Sequence, residues 1–158
     1  MLKAGEGAPD FEASDCRGRA VKLSALRGKK VVLFFFPRAF TAGCTEEVRH
    51  FRDNQGRLEA LNAVLIGVSV DTFDTQCAFA KAENIDFALL GDASRAISES
   101  YGVLWPIYRR DRRVTFVIDE RGVIETVIHH ERQVHRHLDD VLETLNRSQS
   151  VRAPVGAL

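Results

Sequence analysis

V-V-L-F-F-F-P-R-A-F-T-A-G-C-T-E-E-V-R-H-F-R-D, from Val31 to Asp53, is the stretch around which this sequence is organised. Its first six residues are all β-branched, aliphatic or aromatic and are too few for an ordinary helix, so they predict a strand buried on both faces. Pro37 ends that strand, because proline has no N–H to donate to a neighbouring strand. Apolar residues then recur at helical spacing and predict one helix: Val48, Phe51, Leu58 and Leu61.

Cys44 lies where the loop after the strand becomes this helix. Unpaired backbone N–H groups and the positive end of the helix dipole favour a thiolate there. A helix N-terminus alone contributes about 0.3–2 kcal/mol, which is too little to ionise most of an ordinary cysteine at neutral pH. We therefore expect a hydroxyl or a cation to help. Thr41 can bring its hydroxyl towards the sulfur across one tight turn, and its type also suits the helix N-cap.

The segment P-R-A-F-T-A-G-C, from Pro37 to Cys44, fits the pattern P-x-x-x-T/S-x-x-C and resembles the peroxiredoxins. The residues after it, C-T-E-E-V-R-H-F-R-D, continue as in that family. The resemblance extends from Gly7-Ala8-Pro9-Asp10-Phe11 to the last predicted helix. It is closest to the bacterioferritin-comigratory (PrxQ) type, with the one-cysteine AhpE type a near neighbour.

The resemblance implies that Cys44 is the peroxidatic cysteine, which attacks the O–O bond of a peroxide and becomes a sulfenic acid. Arg113 opens R-V-T-F-V-I-D, which resembles the family segment whose arginine supports the thiolate and the peroxide. Arg113 also belongs to a basic cluster that could be only a solvated loop. Pro37 is expected to shield the cysteine from water. Glu47 matches a family glutamate that orients an arginine, although a simple role at the helix dipole is equally open.

The resemblance also bears on how the sulfenic acid is reduced. The PrxQ type often carries a resolving cysteine five residues after the peroxidatic one, and Arg49 occupies that position here. A second subset carries it in the next helix, where Cys77 lies 33 residues after Cys44, about one helical turn from the expected offset. We expect a Cys44–Cys77 disulfide; the alternative is that Cys77 only packs as a small hydrophobe. Cys16 falls on a predicted hairpin turn, exposed and with no evident partner.

The rest of the chain predicts one α/β domain over residues 1–147 and a flexible tail over residues 148–158. Strand patterns alternate with helix patterns, which gives a central mixed β-sheet with helices on both faces and an N-terminal β-hairpin. Strands are predicted at 63–70, 87–90, 113–118 and 123–129, the last two as an antiparallel pair. Helices are predicted at about 72–82 and 94–101. A last helix is predicted from residues at helical spacing: Val134, Leu138, Val141, Leu142 and Leu145. This is the thioredoxin-like fold, as the resemblance also implies.

Composition excludes several classes of protein. Lys plus Arg and Asp plus Glu number 22 each, so nothing indicates a nucleic-acid surface. No apolar run approaches a membrane span, and the first residues lack the hydrophobic core of a signal peptide, so a cytoplasmic protein is expected. His129, His130, His135 and His137 lack metal-site spacing and are interpreted as an exposed edge. No metal, haem or flavin is implied, because the sulfur carries the electrons.

The predicted function is a thiol peroxidase acting on hydrogen peroxide and organic hydroperoxides, recycled by a thioredoxin-like or small-thiol reductant. Its oligomeric state is open between monomer and homodimer. A thiol–disulfide oxidoreductase on the same fold would need C-x-x-C at the helix start, and Thr41 stands where the first cysteine should be. A non-enzymatic redox sensor, whose cysteine reacts no faster than free cysteine, is the remaining alternative.

Overall fold

The computed structural model describes residues 1–156, with side chains as far as Ser148. The elements in chain order are β1 (Glu12–Ser14), β2 (Ala20–Lys22), a 3₁₀ turn η1 (Leu23–Leu26), β3 (Lys30–Phe35), α1 (Ala42–Asp53), α2 (Gln55–Ala60), β4 (Ala63–Ser69), α3 (Phe73–Ala82), β5 (Ala88–Gly91), α4 (Ala96–Tyr101), β6 (Val114–Ile118), β7 (Ile124–His129) and α5 (His135–Gly156).

The central sheet has the strand order β5-β4-β3-β6-β7. β3 pairs in parallel with β4 and antiparallel with β6, and β6 pairs antiparallel with β7. β1 and β2 form a separate antiparallel hairpin in which Ala13 faces Val21. The structure therefore confirms the predicted thioredoxin-like mixed sheet and its N-terminal hairpin.

All six residues of β3 are buried, because successive side chains of this central strand point to opposite, covered faces. Phe34 points to the face that carries α1, α3 and α5, where it stacks on Phe51 with ring centroids 4.5 Å apart. Phe35 points to the other face and packs against Tyr101 of α4 and Phe116 of β6. Two apolar cores thus hold β3 rigidly, so the loop that follows it begins at a fixed position.

The predicted single helix from Cys44 to Leu61 is wrong, because the chain breaks between α1 and α2 at Asn54. Asn54 has φ −115° and ψ 12°, and its N–H bonds to the Phe51 carbonyl three residues back. Its side-chain amide donates to the His50 carbonyl at 2.9 Å. Asparagine competes in this way for the backbone groups that would continue a helix. The apolar residues keep helical spacing across the break, so their pattern alone did not predict two helices.

The last helix, α5, continues to Gly156, beyond the point at which the sequence predicted regular structure to end. The flexibility predicted for residues 148–158 stays a prediction, and its last two residues lie outside the described part of the chain. Within the described residues, no helix is both long enough and apolar enough to cross a membrane.

Candidate active site

The sheet topology brings Cys44 and Arg113 together although 69 residues separate them. Phe35, the last residue of β3, lies opposite Val114, the first residue of β6. Arg113 therefore stands beside the loop that leaves β3 and begins α1. Cys44 is the third residue of α1, so its side chain meets the guanidinium at this edge of the sheet.

The sulfur of Cys44 is fully buried, and both terminal nitrogens of Arg113 lie 3.6 Å from it. Arg113 itself is only 6% exposed. A Cβ added at Gly43 would lie 3.1 Å from Nη2 of Arg113, so the glycine before the cysteine leaves room for this contact. A fixed positive charge with two hydrogen-bond donors thus faces the buried sulfur.

Three further contacts hold Arg113 in place. Nη1 donates to Oε1 of Glu47 at 2.9 Å, and Nε donates to the backbone carbonyl of Glu131 at 3.1 Å. The backbone N–H of Arg113 donates to Oε1 of Glu131 at 3.1 Å. Burial lowers the pKa of Arg113, but the nearby charges of Glu47 and Cys44 outweigh it and raise that pKa above the ordinary value. The guanidinium is therefore a permanent, preorganised cation.

Glu47 lies one turn after Cys44, on the buried side of α1. Burial raises the pKa of Glu47 to about 7, and the charge of Arg113 opposes that shift only in part. Its second oxygen, Oε2, has no hydrogen-bond partner among the described residues and lies 3.7 Å from Nδ1 of His137. The site therefore holds a carboxyl group that changes its charge near neutral pH.

His137 is fully buried next to Glu47, so the predicted exposed histidine edge is wrong for this residue. Its Nε2 is 2.9 Å from the His130 carbonyl, and because a carbonyl only accepts, Nε2 carries the proton. Nδ1 then accepts from the hydroxyl of Thr115 at 2.8 Å. Burial lowers the pKa of His137 to about 4, which keeps the ring neutral.

The sequence did carry a signal for the burial of His137. Val134, Leu138 and Val141 form the buried stripe of the last helix, and His137 is at i+3 from the first and i−4 from the last. A polar residue on such a stripe needs buried partners, which Thr115 and the His130 carbonyl supply. The backbone carbonyl of Glu131, which accepts from Nε of Arg113, left no comparable signal because a backbone contact does not depend on residue type.

Thr41 and Pro37 both lie in the loop that leads to Cys44. Thr41 occupies the N-cap position of α1, but its side chain makes no capping bond. Its hydroxyl instead donates to the Arg38 carbonyl at 2.8 Å, which closes the loop onto itself. Pro37 is half-buried just beyond β3. The predicted contact of the Thr41 hydroxyl with the sulfur and the shielding by Pro37 stay predictions.

The other two cysteines differ from the sequence-based prediction in their partners. Cys16 and Cys77 form a disulfide with their Cα atoms 5.1 Å apart, so the prediction that Cys16 has no partner is wrong. Both residues are half-buried, and Cys44 is the free cysteine. The expected Cys44–Cys77 disulfide is not formed in this structure. Hairpin turn and helix are distant in sequence, and only the packing of the β1–β2 hairpin beside α3 brings the two sulfur atoms together.

Known proteins are similar to this chain in sequence and in fold. Residues 4–127 match the model of the AhpC/TSA family. The chloroplastic Peroxiredoxin Q of Sedum lineare is 34% identical over 89% of this chain and 76% of its own length. A bcp peroxiredoxin of Coxiella burnetii is 36% identical over 80% of this chain and 87% of its own length.

Among solved structures, the crystal structure of Peroxidoxin BcpB from Mycobacterium tuberculosis superposes with a TM-score of 0.87. It is 36% identical and covers 93% of this chain, which covers 98% of it in return. Sequence and fold therefore agree over nearly the whole length of both proteins. The chain belongs to the AhpC/TSA family, and it is a peroxiredoxin, a thiol peroxidase similar to the PrxQ and bcp proteins.

Proposed function

We propose that Cys44 is the nucleophile of this thiol peroxidase and that Arg113 is its principal electrostatic partner. The observation that carries the proposal is the pair of 3.6 Å contacts between the guanidinium and the sulfur in a buried site. The thiolate attacks the terminal oxygen of hydrogen peroxide or of an organic hydroperoxide. The O–O bond breaks, Cys44 becomes a sulfenic acid, and the other oxygen leaves as water or an alcohol after gaining a proton.

Arg113 serves both ends of this displacement. Before the reaction it stabilises the charge on sulfur, and in the transition state charge moves to the leaving oxygen. Two terminal nitrogens in one rigid plane can donate to sulfur and to oxygen together, which a single ammonium group does less well. Since Arg113 is already fixed by Glu47 and Glu131, little reorganisation is needed when the peroxide arrives.

Three other side chains complete the proposed site. Glu47 positions Arg113 through the 2.9 Å hydrogen bond. Thr41 holds the loop by bonding the Arg38 carbonyl, and a small rotation of its hydroxyl would direct it to a bound peroxide or to the sulfur. Pro37 covers the entrance and limits water, as expected from its place at the end of β3.

The sulfenic acid must be reduced for the next turnover, and we assign this step to Cys77 as the resolving cysteine. A thioredoxin-like protein or a small thiol then returns the enzyme to its starting state. Peroxiredoxins act on peroxides with reductants of the thioredoxin type, which fits this assignment. We also propose that the protein is cytoplasmic and that it is a monomer or a homodimer.

Replacement of Cys44 by serine tests the central assignment. We expect Cys44→Ser to abolish peroxide consumption in a single-turnover assay. The reason is that a protonated serine hydroxyl cannot replace a thiolate as nucleophile. The matched control is Cys77→Ser, which should still consume one equivalent of peroxide and should then hold a sulfenic acid on Cys44. Wild-type consumption in Cys44→Ser would exclude Cys44 as the nucleophile.

A further inference from the structure

The Cys16–Cys77 disulfide joins the turn of the β1–β2 hairpin to helix α3. Asp15 shapes the turn of the β1–β2 hairpin by accepting from the backbone N–H groups of Arg17 and Arg19 at 2.9 Å each. Arg17 forms an ion pair with Asp86 before β5. These contacts hold the hairpin turn against the sheet edge and place Cys16 beside the second turn of α3, where Cys77 lies.

Access distinguishes this disulfide from the sulfur of Cys44. Cys44 is fully buried, whereas Cys16 and Cys77 are half-buried and line a surface groove of about 370 Å³. Arg17, Arg19 and Lys81 line the groove together with Asp15, so an incoming thiolate meets more positive than negative charge there. A peroxide is small enough to reach a buried sulfur, but the thiol of a protein reductant needs an accessible one.

We infer that Cys16 and Cys77 form a second redox centre, the disulfide through which an external dithiol returns electrons to the peroxidatic cysteine. The inference rests on the proposed roles of Cys44 and Cys77 and adds Cys16 as a third participant. The structure then represents the stage at which Cys44 has been released and Cys16–Cys77 holds the oxidising equivalent. In the reducing compartment that the sequence predicts, a disulfide is more often catalytic than structural.

The chain can deliver Cys44 to Cys77 without unfolding the sheet. The backbone N–H of Ala39 donates to Asp71 at 2.8 Å, which anchors the active-site loop next to the start of α3. Cys44 is five residues after Ala39, and this stretch spans about 17 Å when extended. Cys77 lies about 8 Å along α3 from its N-cap, since a helix rises about 1.5 Å per residue. The chain is therefore long enough for Cys44 to reach Cys77 once the first turn of α1 unwinds.

Two features of the structure favour opening of that first turn. Phe40 has φ 67°, a left-handed conformation that is unfavourable for an aromatic residue. Thr41 gives α1 no side-chain cap. Phe40 contacts Phe79 of α3, with ring centroids 5.2 Å apart, so the loop and the helix that carries Cys77 already pack together.

The proposed sequence of steps balances in atoms and electrons. The thiol of Cys77 attacks the sulfenic sulfur of Cys44, forms a Cys44–Cys77 disulfide and releases water. The thiolate of Cys16 attacks the sulfur of Cys77, forms Cys16–Cys77 and expels the thiolate of Cys44. The external dithiol then reduces Cys16–Cys77 by thiol–disulfide exchange, becomes a disulfide itself and leaves both cysteines as thiols. Each turnover converts one peroxide and one dithiol into an alcohol or water, a further water and the oxidised reductant.

A quenched time course on the fully reduced enzyme tests the inference. One equivalent of hydrogen peroxide is added, free thiols are alkylated at successive times, and disulfide-linked peptides are mapped by mass spectrometry. We expect wild type to form Cys44–Cys77 first and then Cys16–Cys77 with Cys44 alkylated. In Cys16→Ser, Cys44–Cys77 should accumulate, and steady-state turnover with a dithiol such as reduced thioredoxin should fall about tenfold or more.

The controls distinguish a disulfide that takes part in turnover from one that only stabilises the fold. Asp86→Asn weakens the ion pair with Arg17 but keeps every sulfur and the positive charges of the groove, and its dithiol-driven turnover should stay near wild type. Cys44→Ser should form no Cys16–Cys77 after one equivalent of peroxide. The inference is overturned if wild type stops at Cys44–Cys77, if Cys16→Ser turns over at the wild-type rate, or if Cys44→Ser forms Cys16–Cys77 as fast as wild type. Failure of the proposed function differs from these outcomes, because wild type would then not consume the first equivalent.

Discussion

The two sulfur regions of this peroxiredoxin are built in opposite ways. Cys44 is fully buried at the start of α1, against a guanidinium that is itself held by a carboxylate and a backbone carbonyl. Cys16 and Cys77 are half-buried between a hairpin turn and a helix and are bonded to each other. One region buries a single free sulfur, and the other presents a disulfide to a surface groove.

On the proposed roles, environment more than residue type assigns a task to each cysteine. A fixed cation next to a buried sulfur favours attack on a small, uncharged peroxide. The same burial excludes a protein thiol. A half-buried disulfide beside a groove has the converse property, since exchange depends mainly on access to a sulfur atom. Variants that change one region and leave the other intact test this difference.

The largest effect is expected at Arg113. Replacement of Arg113 by Met removes the cation that faces the sulfur and leaves Glu47 buried without its partner. We expect the second-order rate constant for hydrogen peroxide to fall about 100–1000-fold, the loss typical of removing one preorganised donor. Stopped-flow kinetics at neutral pH measures it.

The matched control is Arg110→Met, which removes an exposed arginine three residues away and should leave that rate constant within about twofold. Formation of Cys16–Cys77 by a chemical oxidant should be the same in both variants. Equal losses of peroxide reactivity in the two would mean that overall positive charge, rather than the Arg113 contact, activates Cys44.

A comparable effect, on stability instead of rate, is expected at the disulfide. Cys16–Cys77 closes a loop with a sequence separation of 61, for which chain entropy gives a stabilisation of up to about 4 kcal/mol. Cys16→Ser should therefore lower the free energy of unfolding by about 2–4 kcal/mol relative to the oxidised wild type. Urea titration with and without reductant measures it, and reduced wild type should match the variant. The first-turnover rate with peroxide should not change; a large fall would mean that the disulfide shapes the Cys44 site.

The two sulfur regions also differ in how far the sequence predicted their structure. The alternation of strand and helix patterns and the apolar run at β3 predicted the sheet and its two covered faces. The Pro37-to-Cys44 motif selected the residues around Cys44, because a loop-to-helix junction is local in sequence. Arg113 is distant, and only the family resemblance distinguished it from its three neighbouring arginines.

The disulfide shows the opposite case. Cys16 and Cys77 meet because a hairpin turn packs beside α3, and no local pattern encodes that packing. The same limit applies to the carbonyl of Glu131, which any residue would offer. Asn54 was missed for another reason, since its effect on the helix comes from side-chain competition with the backbone rather than from apolar spacing.

A smaller effect is expected from the pH dependence of stability. The pKa of Glu47 is raised from 4.5 to about 7, so between these values the folded chain keeps a proton that the unfolded chain has lost, and stability falls as pH rises. The pKa of His137 is lowered from 6.5 to about 4, so stability rises with pH across that window. The two trends oppose each other in wild type between about pH 4.5 and 6.5.

Single variants should separate the two trends. Glu47→Gln should leave the rise with pH from His137, and His137→Gln should leave the fall from Glu47, each on the order of 1–3 kcal/mol across its window. Chemical denaturation at half-unit pH steps measures both. A wild-type profile that neither variant alters would mean that the two groups titrate alike in the folded and unfolded chains. His135→Gln, at an exposed position on the same helix, should leave the profile as it is.

The smallest effects are expected at two threonines that occupy the same position in the two regions. Thr41 and Thr72 are the N-cap residues of α1 and α3, but only Thr72 caps its helix, by accepting from the Thr75 N–H at 3.2 Å. Thr72→Val should therefore lower the free energy of unfolding by about 1 kcal/mol and leave the first-turnover rate unchanged. Thr41→Val removes the bond to the Arg38 carbonyl that orders the loop before Cys44.

A bond of that kind is worth about 0.5–1.5 kcal/mol, so Thr41→Val should slow the reaction with peroxide about threefold to tenfold. Its cost in stability should be smaller than that of Thr72→Val, because no helix cap is lost. Thr41→Ser keeps the hydroxyl and should restore the rate, which distinguishes the hydrogen bond from the volume of the side chain. If Thr72→Val slowed the reaction as much as Thr41→Val, the two regions would be coupled in the reduced enzyme, and reactivity at Cys44 would depend on the helix that carries Cys77.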